Sequence, residues 1–190
     1  MISRPALALL ACLVVLTGCS GLQGTGDKGY VTGTGTVEQV PVAERGASLD
    51  FTGEDLDGVE LSLEGMRGKP VVVVVWGSWC TPCRAEAPDV VAAAEEIGDT
   101  ASFVGINIRN ASVADAEAFV RRFDIPYPSF FSPDGKALLP FSGTLTAYTI
   151  PSFVVLDADG RVAASIIGSL PSVTTLVDLV QDVDAGTARG

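Results

Sequence analysis

Val71–Trp76 is an unbroken run of five valines and a tryptophan. A strand with one wet face alternates apolar and polar residues, whereas this one has no polar face at all. It must therefore be buried on both sides, as the central strand of an α/β sheet is. After Gly77 and Ser78 comes Trp79-Cys80-Thr81-Pro82-Cys83, and then Val90, Ala94 and Ile97 recur at helical spacing up to Gly98, a C-cap residue. A buried strand thus enters a helix through a pair of cysteines.

That position favours redox chemistry. The first turn of a helix has unpaired N–H groups and the positive end of the dipole, and both stabilise a thiolate. Cys80, at the helix start, is the expected exposed nucleophile with a lowered pKa. Cys83, one turn in, is better shielded and placed to resolve a mixed disulfide. Pro82 suits a first turn, where its missing N–H costs nothing. Half of a zinc site is the competing reading, but the sequence has no histidine, and of its other cysteines Cys12 is expected to be removed with a cleaved leader and Cys19 to be lipidated. Only a metal shared between two chains would complete such a site, so no metal and no cofactor are expected. A purely structural disulfide is also a weak reading, since so short a loop restrains the unfolded chain little. The absence of histidine further removes Ser-His-Asp and Cys-His catalysis and His-ligated haem. A net charge of −11 argues against nucleic-acid binding.

The N-terminus carries an address. Arg4 precedes an apolar stretch, residues 5–16, that is shorter than the roughly 20 residues needed to span a bilayer. It reads as a signal peptide, residues 1–18. Leu16-Thr17-Gly18-Cys19 resembles a bacterial lipobox, which implies lipidation at Cys19 and a protein anchored by lipid on the extracytoplasmic face of the cell membrane. Residues 19–47 are rich in Gly and Thr and are expected as a flexible tether, although residues 30–42 have the composition to pack as an edge strand. The folded domain is expected over residues 48–190. In it, residues 49–51 and 59–63 flank the turn Asp57-Gly58 as an antiparallel lead-in. Residues 103–108 read as a strand, and Ser112 with Asp115 opens a helix bearing Ala116, Phe119, Val120 and Phe123 on one face. Residues 153–156 and 162–167 flank the hairpin turn 157–160, and Val173, Leu176, Val177 and Val180 mark a closing helix.

Strand, W-C-x-P-C, helix, an inserted βα unit, Thr149-Ile150-Pro151, a hairpin and a last helix together resemble the thioredoxin fold, and in particular its TlpA/ResA-like extracytoplasmic group. Asp57-Gly58, Leu61-Ser62-Leu63, Gly68-Lys69-Pro70 and Glu86-Ala87-Pro88 add to that resemblance, which covers about residues 49–183. It implies an α/β fold with a central mixed sheet flanked by helices. It also implies a cis-proline at Pro151 that, with Thr149 and Ile150, shapes a substrate groove beside the cysteines. Thioredoxin itself carries a buried carboxylate six residues before its first cysteine. Val74 stands there in this chain, so another proton acceptor is required. The resemblance nominates Glu86, one turn after Cys83, while the helix dipole alone would also favour an acid in that turn. Trp76 is expected in the core and Trp79 as an exposed apolar contact for substrate. Arg84 reads equally as a support for the thiolate or as a solvated helix residue.

The function implied is a thiol-disulfide oxidoreductase that reduces disulfides of exported proteins, such as apocytochromes during cytochrome c biogenesis, and is itself recharged by a membrane redox partner. An oxidase that forms disulfides in exported proteins is the alternative. A thiol peroxidase lacks support because Gly77 stands where a T-x-x-C motif would place threonine. A redox-inactive binding lipoprotein is opposed by the intact cysteine pair.

Overall fold

The computed structural model describes residues 30–32, 35–146 and 148–186. The segment expected as a signal peptide and the lipobox-like residues, with Cys12 and Cys19, lie outside the described residues. β1 (Tyr30–Thr32), β2 (Gly35–Gln39), β9 (Val162–Gly168), β8 (Ser152–Leu156), β5 (Val71–Trp76), β6 (Ser102–Ile108) and β7 (Ser129–Ser132) lie side by side in that order. β5, β6 and β7 are parallel, and every other neighbouring pair is antiparallel, which makes the sheet mixed. β3 (Thr52–Glu54) and β4 (Glu60–Ser62) form the separate lead-in hairpin.

β5 lies inside the sheet between β6 and β8, and all six of its residues are buried, as its unbroken apolar run requires. Val72 and Val74 face a core built from α1 (Thr81–Ile97) and α3 (Val173–Asp184), through Val90, Ala93, Leu176 and Val180 among others. Val71, Val73 and Val75 face the opposite layer with Ile106, Phe130 and Phe141. Among the described residues that second layer holds no α-helix. It is closed by the β3–β4 hairpin and by a 3₁₀ turn, Lys136–Phe141. α2 (Val113–Phe123) lies on the α1 side and buries Ala116 and Phe119, while Val120 and Phe123 are half-buried. The Ser112 hydroxyl caps it by accepting from the Asp115 N–H at 3.3 Å, as the spacing predicts.

Two features refine the sequence reading. Within the segment expected as a tether, the edge-strand alternative for residues 30–42 is met in part, because β2 pairs along β9 from Gly35 to Gln39 and Val37 is buried. Without β2 the edge of β9 would leave a row of backbone groups unpaired. Beyond β2, Arg45 is pinned inside the fold, where its Nη1 donates to Asp157 Oδ2 at 3.1 Å and only 3% of its side chain is exposed. The ordered fold therefore begins upstream of residue 48. The second feature is β7, which carries no strand signal in the sequence. Its four residues lie between Pro128 and Pro133 and are too few to show a period, yet β6 offers them a parallel edge.

Candidate active site

Cys80 is the N-cap of α1, and its Sγ accepts from the Cys83 N–H at 3.2 Å. The helix donor thus already points at the sulfur that would carry negative charge. Cys80 and Cys83 are joined as a disulfide with Cα atoms 5.3 Å apart. In this oxidised state Cys80 is only 3% exposed, against the expectation of an open nucleophile. The reason is packing, since both cysteines belong to an apolar cluster with Trp76, Ala87, Ala116 and Phe119, against which Ile150 also packs. Pro82 is exposed in the first turn, and Pro88, further along α1, removes one helix hydrogen bond.

The Ile150–Pro151 bond is cis. Pro151 is buried, and its carbonyl accepts from the Gly168 N–H at 3.1 Å and from the Ser152 hydroxyl at 2.8 Å. Of the three residues expected to shape a groove, Ile150 packs against the cysteine cluster. The Thr149 hydroxyl faces its own loop and donates to the Thr146 carbonyl at 3.0 Å.

The two tryptophans separate as expected. Trp76 is core, with its ring stacked on Phe119 at 4.5 Å and its Nε1 donating to Ser129 Oγ at 3.1 Å. Gly105 makes room for that bond, because a Cβ there would overlap Ser129 Oγ and lie 2.6 Å from Trp76 Nε1. Trp79 is 46% exposed, yet it is held in place by its Nε1 donating to the Ile108 carbonyl and by the Arg109 guanidinium 4.3 Å above its ring. Arg109 sits in the left-handed region at φ 54°, a conformation that costs a non-glycine residue about 1–2 kcal/mol. Asn110 steadies the same loop. Its Oδ1 accepts from the Ser78 N–H at 3.0 Å, and its Nδ2 donates to Ser78 Oγ at 2.8 Å. Neither Arg109 nor Asn110 carries a sequence signal for this role. Only the return of β6 beside the Cys loop brings them there.

Glu86 is buried on the inner face of α1, and its Oε2 accepts from the Leu170 N–H at 2.9 Å. Burial pushes its carboxyl up to about 7, the Leu170 bond works against that rise, and the Asp89 charge adds to it. Glu86 and Cys83 line one cavity of about 20 Å³ together with Val74, Phe119, Ile125 and Tyr127, enough room for a single water. Val74, the strand position that lacks a carboxylate, thus borders the same space that Glu86 reaches from the helix. Tyr127, which the sequence reading overlooks, has its hydroxyl pKa raised by burial and by the Glu86 charge.

The raised Glu86 pKa has a consequence for stability. The folded state binds the proton more tightly than the unfolded chain, so this contribution is complete below pH 4.5 and is lost as pH rises through about 7. A shift of that size corresponds to about 3 kcal/mol. Glu86→Gln should flatten the dependence of denaturation midpoint on pH between 4.5 and 7, and an unchanged slope would show that Glu86 titrates normally.

The comparisons agree with this geometry. The Redoxin family model matches residues 42–180. The thiol-disulfide oxidoreductase ResA of Geobacillus thermodenitrificans is 28% identical over 137 residues, 70% of this chain and 74% of the relative. A DsbF homologue from Corynebacterium diphtheriae superposes with a TM-score of 0.73 at 32% identity, covering 82% of this chain and 98% of that one. A secreted thiol-disulfide isomerase from Corynebacterium glutamicum gives a TM-score of 0.73 at 27% identity, over 78% and 92% of the two chains. A cysteine pair capping the helix that leaves a buried central strand is what such proteins need for disulfide exchange, and this chain belongs to the Redoxin family as a thiol-disulfide oxidoreductase of the thioredoxin fold.

Proposed function

We propose that this protein works as a reductant of disulfides in exported proteins, apocytochromes among them, from a lipid anchor on the extracytoplasmic face of the membrane. The observation that carries the reading is Glu86, buried with a pKa near 7 on the cavity it shares with Cys83. A reductant must take a proton from its resolving thiol at neutral pH, and a base titrating there is matched to the task. In the cycle, the Cys80 thiolate attacks the substrate disulfide, forming a mixed disulfide and releasing one substrate thiolate. Cys83 passes its proton to Glu86, directly or through a water, and its thiolate attacks the Cys80 sulfur. The second substrate thiolate leaves, two electrons have moved to the substrate, and the protein is left with the Cys80–Cys83 disulfide. Trp79, Pro82 and the loop from Thr149 to Pro151 form the surface offered to the substrate. A membrane dithiol partner restores the reduced state.

The address supports the place of action. Replacing Cys19 with serine should release the protein from the membrane fraction or block its processing, and a variant that is normally cleaved yet still membrane-bound would put the anchor elsewhere. Direction is decided by the reduction potential. A value nearer about −270 mV than −120 mV supports the reductase, and one near −120 mV supports the disulfide-forming oxidase instead.

A further inference from the structure

Among the described residues Arg45, Arg67, Arg121, Lys136 and Arg161 each have a carboxylate partner. Lys69, Arg84, Arg109 and Arg122 have none; Lys69 donates to the Asp99 backbone carbonyl, whereas each of the three arginines lies on an aromatic ring. Arg84 and Arg122 stand 5.7 and 5.6 Å from the centre of the Phe123 ring, and Arg109 is over Trp79. All three converge on the loop that leads into Cys80. Arg84 Nη1 donates to the Ser78 carbonyl at 3.2 Å, Arg109 covers the next residue, and Arg122 lines a groove with Ser78 and Arg84. The groove measures about 280 Å³, room for a side chain or two and too small for most drug-sized ligands or cofactors. Asp115 also borders it, with its Oδ2 accepting from the Ser112 hydroxyl at 2.7 Å.

We propose that Arg84, Arg109 and Arg122 form a cationic rim that selects disulfide-bearing protein segments with carboxylates beside their cysteines. The inference rests on the exchange of protein disulfides at Cys80 and adds the class of partner. It runs against the net charge of −11, which by itself would favour basic partners. Range decides between the two. At about 0.1 M ionic strength charges act over only about 10 Å, so a carboxylate next to the reacting disulfide senses the rim more than the acidic surface beyond it. Aromatic contacts orient the three guanidinium groups without an ion pair to any of them, and Asp115 is the one carboxylate among the residues lining the groove.

Three synthetic peptides, each with one disulfide and flanked by two glutamates, two lysines or two serines, test this with the reduced full-length protein. At about 0.1 M salt the glutamate peptide should exchange on the order of tenfold faster than the lysine peptide, and the gap should close near 1 M. Arg84→Gln with Arg122→Gln should shrink the ratio, and the Lys pair at the same positions should restore it. Arg122→Glu, a single change at an exposed position, should shrink it as well if the double variant does not fold. Equal rates for the glutamate and lysine peptides, or a lysine preference, overturn the rim while leaving the exchange chemistry intact. Failure of all three peptides, serine included, overturns the exchange reading and the rim with it.

Discussion

Cys83→Ala is expected to accumulate mixed disulfides with substrate proteins, while Cys80→Ala traps almost none. The asymmetry follows from helix geometry. Cys80 is the N-cap and receives the Cys83 N–H on its sulfur, so a thiolate there meets a backbone donor and the dipole end together. Cys83 is one turn deeper, with Glu86 on its cavity and a job that begins only after the first attack. Glu86→Gln should leave the first attack in place and slow release, on the order of 10²-fold for the loss of a positioned base. Non-reducing gels of the two single-cysteine variants, together with alkylation rates of the reduced thiols, check the assignment. Comparable trapping by both variants, or faster alkylation of Cys83, would reverse the roles of nucleophile and resolver.

Asp157→Ala is expected to be among the most destabilising single changes in the chain. The Asp157 carboxylate receives Arg45 Nη1 at 3.1 Å, Arg161 Nε at 2.9 Å, and the backbone N–H groups of Asp159 and Arg161. Removing it leaves the Arg45 guanidinium buried without a counter-charge and opens the turn between β8 and β9 as well. Breaking one side of a buried ion pair costs about 3–5 kcal/mol. Arg45 follows closely on β2, so the same change should loosen the pairing of β2 with β9. Urea denaturation and amide exchange at Val37 read the two effects separately. A loss below about 1 kcal/mol would mean that Arg45 finds water on its own, as an exposed partner would.

The parts of this protein legible in the sequence are those whose signals are local. Five valines in a row allow only a doubly buried strand, and the residues that follow them carry their own proline, helical period and C-cap, so β5, the Cys turn and α1 are readable within a window of 28 residues, 71–98. Ser112 and Asp115 likewise announce α2, because a cap bond spans three residues. Glu86 was legible as a neighbour of Cys83 but not as a group titrating near neutrality. That property comes from burial and from a hydrogen bond to Leu170, 84 residues away.

Only the tertiary structure decided the remainder. β2 reads equally as linker or edge strand until β9 presents an edge for it, and β7 is four residues between prolines until β6 does the same. A helix start usually leaves its first residue open, yet packing against its neighbours and Ile150 closes Cys80 in the disulfide state. Arg109 is an ordinary residue at the end of a strand until the sheet lays it across Trp79. The division has a physical cause. Propensity, capping and periodicity act over a few bonds along the chain, whereas desolvation, edge pairing and the balance of charge depend on which distant residues the fold brings to the same place.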